Sequence, residues 1–443
     1  MSARTISSAA IAAVLSLAGA PALANPAEVE AAVAKDYSAH LEDLFLHFHQ
    51  NPELSHLEKN TAKRMAAEMR SAGLEVTEGV GSTGVVGMVR NGPGPLILLR
   101  ADMDGLPVEE KSGLAYASQA TQVGFDGKEY PVMHACGHDV HITSLVGTAR
   151  RLMAMKDQWS GTLMFVAQPA EETVGGASGM IKDGLYTRFG KPDYALAFHV
   201  TSLMETGKVS ASEGIQYSSA DSVDIMVPGV GAHGASPHMG RDPVYIASQI
   251  VTALQSIVSR EIEPLRPAVI TVGAFQAGTK HNIISERADL QLTVRANDED
   301  TRAQLLAAIE RVAVGIGKAH GLPDELPVKV MVSEGTPVTY NDPDLARRLN
   351  GVMRTTFGDT GFQPFEQRGM GAEDFSYFVA EDLGVPGYYF AVGGTPPSAF
   401  EAEANGGPAV PSHHSPLFKI APRESVTLGT RAMVAAVLDL AGS

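Results

Sequence analysis

The 443-residue sequence predicts an α/β protein built on a mixed sheet, with a second, smaller domain inserted into it. Three observations predict this. In the first half, continuous apolar runs end abruptly in polar functional groups, the pattern of strands buried on both faces. From Asp221 to Val332 the pattern changes to strand, helix, strand, strand, helix, strand, the order of the split ferredoxin-like βαββαβ unit. After Val332 the first pattern resumes, and a chain of this length favours two cores over one. The division is residues 25–213 and 335–443 for one domain and 214–334 for the insert.

The elements follow in order. Residues 1–24 read as a secretory signal: Arg4 is the positive end, Ile11 to Ala18 the short apolar core, and Ala22-Leu23-Ala24 the cleavage site. Export to the periplasm or medium is expected, with cleavage after Ala24. Ala27 to Gln50 has helical spacing, with Val29, Val33, Leu41, Leu44 and Phe48 on one side. Asn60 is the expected cap of a helix from Thr61 to Ala72, which stops at Gly73. Short β-rich runs follow at Leu74–Thr77 and Gly84–Arg90.

Three apolar runs then end in chemistry. Leu96–Leu99 leads into Arg100-Ala-Asp102-Met-Asp104, Thr162–Ala167 into Gln168-Pro-Ala-Glu171-Glu172, and Tyr194–Phe198 into His199. Open α/β sheets gather ligand sites at the carboxyl ends of their strands, so these groups should converge. In the insert the expected elements are strand 222–227, helix 243–262, strands 268–275 and 288–296, helix 298–320 and strand 328–332. Helix 343–357, a glycine-rich loop into Glu373-Asp374-Phe375, strand 387–392, a long loop from Gly394 to Pro411 and a helix 424–440 complete the chain.

Composition excludes several functions. Lys and Arg number 34 against 50 Asp and Glu, a net charge of −16, which argues against nucleic acid or an anionic membrane as partner. No uninterrupted apolar run reaches the roughly 18 residues that a membrane helix needs. The single cysteine, Cys136, cannot form an internal disulfide, and in an oxidising compartment a free thiol is safest as a ligand.

Cys136 lies in His134-Ala-Cys136-Gly-His138-Asp-Val-His141, ahead of a helix-like run from Ile142 to Met155. A thiolate and an imidazole two residues apart on extended backbone can face one divalent transition metal. The rival is a nucleophilic Cys136 activated by a neighbouring histidine. Companions elsewhere favour the metal: Glu172, His199 and one of His413 or His414 complete a ligand set, and Glu171 is left over as a carboxylate to move protons. Sulfur and imidazole favour zinc, and the carboxylate also admits manganese, with cobalt or nickel as further fits.

The segments His49-Gln-Asn-Pro-Glu53-Leu-Ser, Arg100-Ala-Asp-Met-Asp104, Met133-His-Ala-Cys-Gly-His138-Asp, Gln168-Pro-Ala-Glu-Glu172, Gly231-Ala-His233, Gly371-Ala-Glu-Asp-Phe375 and His414-Ser-Pro-Leu-Phe418 resemble those of the M20 metallopeptidase family. The likeness is to its amidohydrolase branch of hippurate hydrolases, N-acyl-amino-acid amidohydrolases and plant indoleacetyl-amino-acid hydrolases. It covers nearly the whole mature chain.

The resemblance implies a metallo-exopeptidase-like catalytic domain with an inserted dimerisation lid, two divalent metal ions per subunit, and a homodimer formed through the lid. It makes Cys136, His138, Glu172, His199 and His414 the ligands, Glu171 the general base, and Asp104 the aspartate that orients a ligand imidazole. His233 and Asn282 resemble substrate-facing residues of the lid, His233 sometimes serving the neighbouring subunit's site. The segment His281-Asn-Ile-Ile-Ser-Glu286 and the residues after Phe418 depart from the branch's pattern, which bears on the pocket more than on the metal centre. The implied reaction is hydrolysis of N-acyl amino acids to a carboxylic acid and a free amino acid. A carboxypeptidase or dipeptidase, and an inactive binding protein on the same fold, are the alternatives.

Overall fold

A computed structural model describes residues 25–442. The signal-like segment lies outside the described residues. Beyond it, Asn25 caps the first helix through its side chain, and the expected single helix over 27–50 is Pro26–Asp36 and Glu42–Gln50 joined by a π turn, Tyr37–Leu41. The π turn shifts the register, so Tyr37, Leu41, Leu44, Phe45 and Phe48 all reach the core. The next helix starts at Lys59, two residues before the expected start, and Asn60 is not its cap. The Glu53 carboxylate instead accepts from the Asn60 and Thr61 amides, both at 2.8 Å, doing from a preceding loop what a capping side chain does.

The main sheet has eight strands in the order Glu75–Val80, Gly84–Asn91, Gly161–Gln168, Leu96–Asp102, Tyr194–Glu205, Gly387–Thr395, Val209–Ala211 and Phe362–Pro364. It is mixed: the four central strands are parallel, and antiparallel pairs flank them. Alternate residues serve two cores, which explains the continuous apolar runs. Leu99, Phe165, Phe198 and Phe390 pack under the helices His138–Met153 and Pro422–Ala441, while Leu98, Val166, Ala197 and Tyr389 face Met180, Phe375 and Phe378. Two expectations change here. The strand that carries His199 runs on to Glu205, so His199 lies within it and not past its end. The loop from Gly394 contains a helix, Pro397–Ala404, with no buried residue.

The insert is a four-stranded antiparallel sheet in the order Ala268–Ala277, Arg287–Ala296, Ala220–Pro228, Lys329–Thr336, with helices Pro243–Ser256 and Glu299–Ala319 packed against it. Ile225, Val227, Ile250, Leu254, Leu290, Leu292, Leu305 and Ile309 form a core of its own. Asp242 and Asp298 cap its helices by accepting from Val244 and Thr301 amides. Both chain crossings between the two units run past residues 367–377. Gln367 bonds Ser218 and Asn297, the Ser218 amide donates to Gly371 O, and Thr336 Oγ1 meets Ser376 Oγ at 2.7 Å. No helix among the described residues is long and apolar enough to cross a membrane.

Candidate metal centre

The expected ligands come from four places in the main unit. Cys136 and His138 flank Gly137, which adopts φ +85° and ends a turn at the helix His138–Met153. The backbone here is therefore a left-handed turn into a helix and not the extended segment expected. That turn is what lets a thiol and an imidazole two residues apart face each other, and a Cβ on Gly137 would lie 2.4 Å from Val200 Cγ1. Glu171 and Glu172 follow the strand Gly161–Gln168, bracketed by Ala170 at φ +51° and Val174 at φ +47°. His414 has φ +65°. Left-handed conformations at residues with a Cβ are costly and cluster where function needs a side chain aimed.

These residues converge. Cys136 Sγ lies 3.4 Å from His199 Nε2, and His138 Nε2 is 3.9 Å from Glu171 Oε2 and from Glu172 Oε1. His414 Nε2 lies 3.4 Å from Glu172 Oε2. Two groups, Cys136 with His138 and His199, and Cys136 with Glu172 and His414, each bring their ligand atoms within 4.8 Å of one another and share the thiol. His413 borders the same site, with Nδ1 3.7 Å from Cys136 Sγ and Nε2 3.5 Å from Thr201 Oγ1, but it joins neither group.

Two of the three expected ligand imidazoles are oriented by a partner on the far nitrogen. His138 Nδ1–H donates to Asp104 O at 2.9 Å, with the Asp104 carboxylate 3.3 Å away, and His199 Nδ1–H donates to Val200 O at 2.6 Å. In both rings this leaves the Nε2 lone pair for a cation. The Asp104 carboxylate also accepts from Ser55 Oγ and from the Glu172 amide.

A divalent cation fits these residues on two further observations. His138 Nε2 and Glu172 Oε1 are buried without a hydrogen-bond partner, which is costly for groups that nothing else satisfies. Six carboxylates, Asp102, Asp104, Glu171, Glu172, Glu373 and Asp374, surround the site, and among the described residues the only guanidinium bound to them is that of Arg100. Burial opposes charge on His138, yet Asp102 and Asp104 push its pKa up to about 10, so the cluster draws a proton or a cation to Nε2. Burial and then the neighbouring glutamates hold the Cys136 thiol well above its ordinary value. A thiol nucleophile needs the reverse, an electropositive site, which disfavours that reading.

A cluster missed by reading the sequence lies behind the site. Arg100 is fully enclosed and donates to Asp102 at 2.6 Å, Glu373 at 2.7 Å, Asp374 at 3.1 Å and Gln168 at 2.7 Å. Tyr389 also donates to Glu373. Glu171, Glu373 and Asp374 bring carboxylate oxygens within 4.8 Å of one another. The available signal was a charged residue, Arg100, set directly at the end of an apolar run, with no partner identifiable at long range. The expected pair from the insert makes no contact with the metal centre among the described residues of this one chain. His233 and Asn282 neighbour each other, Gly234 N donating to Asn282 O, but both are exposed, and among the described residues neither bonds a metal-centre residue.

Residues 98–405 match the model of peptidase family M20/M25/M40. This chain belongs to that family. The M20 chain is 38% identical over 344 residues to the hippurate hydrolase of Campylobacter jejuni, covering 77% of this chain and 86% of the relative. It is also 38% identical over 349 residues to thermostable carboxypeptidase 2 of Saccharolobus solfataricus, covering 78% of this chain and 83% of that one. A dinuclear metal binding peptidase of the M20 family from Bacillus subtilis superposes with a TM-score of 0.72 at 25% identity, covering 91% of this chain and 98% of its own. The M20 chain is accordingly a hydrolase of the amidohydrolase and peptidase kind, and the family likeness read from its motifs is borne out.

Proposed function

We propose that this M20 hydrolase is a two-metal amidohydrolase that cleaves N-acyl amino acids to a carboxylic acid and a free amino acid. The observation that carries it is the pair of ligand groups sharing Cys136, with Glu171 beside them on the His138 side. Cys136, His138 and His199 would hold one ion and Cys136, Glu172 and His414 the other, zinc or manganese before cobalt or nickel. When bound, such ions polarise a carbonyl and acidify a water. Glu171 takes the proton from that water as the amide carbon is attacked, and returns it to the leaving nitrogen. Burial, then Glu373 and Glu172, push the Glu171 carboxyl well above its ordinary value, and bound cations would oppose that shift and return it towards the range of a working base. Asp104 keeps the tautomer of His138.

Residues 214–334 serve as a lid and dimerisation unit in this reading. Its sheet ends in the ten-residue strand Ala268–Ala277, whose free edge is open to a second copy in a homodimer. His233 and Asn282 reach substrate by closure of this unit or from the neighbouring subunit, where they bind substrate and the developing oxyanion. The protein is exported and its mature form starts at Asn25, which sequencing the amino terminus of periplasmic material checks.

The test is a hydrolysis screen of N-acetyl, N-benzoyl and indoleacetyl amino acids beside dipeptides, with metal added back to chelated protein. Glu171→Gln is expected to keep both ions and lose about 10²–10⁴ in kcat; near-normal turnover in that variant sinks the assignment. A second reading, carboxypeptidase or dipeptidase, is favoured by the Saccharolobus relative at the same 38% identity. Preference for dipeptides over every N-acyl amino acid in the screen decides for it.

A further inference from the structure

His141 has no place in the ligand set or in the proton transfers, yet it is enclosed at the centre, 1% exposed, with both ring nitrogens used. The Val200 amide donates to His141 Nε2 at 2.8 Å, so the ring proton is on Nδ1, which donates to Asp102 Oδ1 at 2.5 Å. Asp102 in turn receives Arg100 Nη1 on its other oxygen at 2.6 Å. The His141 ring also stands edge-on to the His199 ring, centroids 4.6 Å apart.

The sheet explains why this contact exists. The strand Tyr194–Glu205 pairs with Leu96–Asp102 only from Tyr194 to Ala197, while its other side stays paired with Gly387–Thr395 through Glu205. Past Ala197 the inner side has lost its strand partner at the point where His199 is presented. An unpaired buried amide is costly, and His141 from the neighbouring helix supplies the acceptor. The carbonyl of the same residue, Val200, receives His199 Nδ1–H at 2.6 Å. One residue, Val200, is thus held by His141 on its amide and orients His199 through the carbonyl of its next peptide unit.

We propose that His141 is a positioning residue of the metal centre: backed by Asp102 and Arg100, it replaces the missing strand at Val200 and so fixes the direction in which His199 presents Nε2. This rests on the reading of His199 as a metal ligand. The effect belongs to metal affinity, because partners that orient a ligand imidazole typically contribute about 10–100-fold to metal binding.

Two amide variants separate positioning from filling space. Glutamine places its terminal amide where His Nε2 sits and can accept from the Val200 amide, whereas asparagine places its amide where Nδ1 sits and reaches only Asp102. Metal affinities come from competition with a chelating dye, and the visible absorption of cobalt-loaded protein reports the ligand number at each ion. His141→Gln is expected to keep wild-type affinity for both ions, and His141→Asn to bind one of them about 10–100-fold more weakly, with altered cobalt bands. Equal affinities in the two variants, or the weaker binding in His141→Gln, overturn the proposal, since a residue needed only to satisfy Asp102 tolerates asparagine better. Urea unfolding of the metal-free variants shows that both are folded before titration. Fewer than two ions on the wild-type protein would instead overturn the two-metal reading, independently of the variants.

Discussion

Replacing Arg100 by methionine removes a guanidinium from a nest of buried carboxylates while nearly conserving side-chain length. Arg100 touches Asp102, Glu373 and Asp374, and neither it nor Asp102 has any exposed side-chain surface. Taking one partner out of a buried ion pair costs about 3–5 kcal/mol, because the remaining charge has no water to return to. Protonation limits the loss. Burial already raises the Asp374 carboxyl to about 8, which reduces its share of the penalty. Asp102 bears most of it: burial favours its neutral form, but Arg100 above all, then His138 and His141, hold it well below the usual carboxylate range.

The sign of the pH dependence follows. A carboxylate held below its ordinary pKa stabilises the fold at pH above that ordinary value, and this contribution is lost as pH falls through the folded pKa. In Arg100→Met the Asp102 carboxyl rises and takes up a proton on folding. The gap between wild type and variant should therefore be about 3–5 kcal/mol at pH 7.5 and shrink towards pH 4.5. Urea unfolding read by the fluorescence of Trp159, the single tryptophan and fully buried in the same unit, measures it. A gap under about 1 kcal/mol at pH 7.5, or one that does not change with pH, refutes the reasoning.

Other outcomes follow from the same geometry. Cys136→Ala should lower metal content, because both ligand groups lose their shared atom, and inactivation by iodoacetamide with activity surviving chelation would restore the thiol-nucleophile reading. Gly137→Ala places a Cβ against Val200 at a φ that L-residues avoid; it should cost at least about 1 kcal/mol in urea unfolding and lower metal content, and a stable, metal-replete variant contradicts the turn's role. His49 is buried between Asp139 at 2.7 Å and Glu110 at 3.3 Å; burial opposes its charge, but these carboxylates push its pKa up to about 9. A raised histidine stabilises the fold fully below its unfolded pKa, so about 3 kcal/mol should be present below pH 6.5 and disappear as pH rises through 9. His49→Gln should flatten the stability profile over that window, and an unchanged slope rejects the assignment.

Local patterning determined much of this protein. Apolar runs buried on both faces and the alternation of elements from Asp221 to Val332 depend on residues near one another in the chain, so the central strands and the βαββαβ unit were legible. The motifs around Cys136, Glu171 and His414 were legible for a different reason: sulfur, imidazole and carboxylate in those settings have few uses other than holding a cation. What tertiary structure decided were relations between distant residues and backbone conformations that no composition announces. Glu53 caps a helix it does not belong to, the strand through His199 outruns its inner neighbour, and Gly137 turns where an extended segment was expected. Arg100 could be read as a charge at a strand end, but its partners Glu373 and Asp374 lie more than 270 residues away, and only the folded sheet brings them to it. His141 is the sharpest case: its place three residues after His138 suits an ordinary helical residue or one that backs the ligands, and which it is depends on a backbone amide left bare when two strands separate.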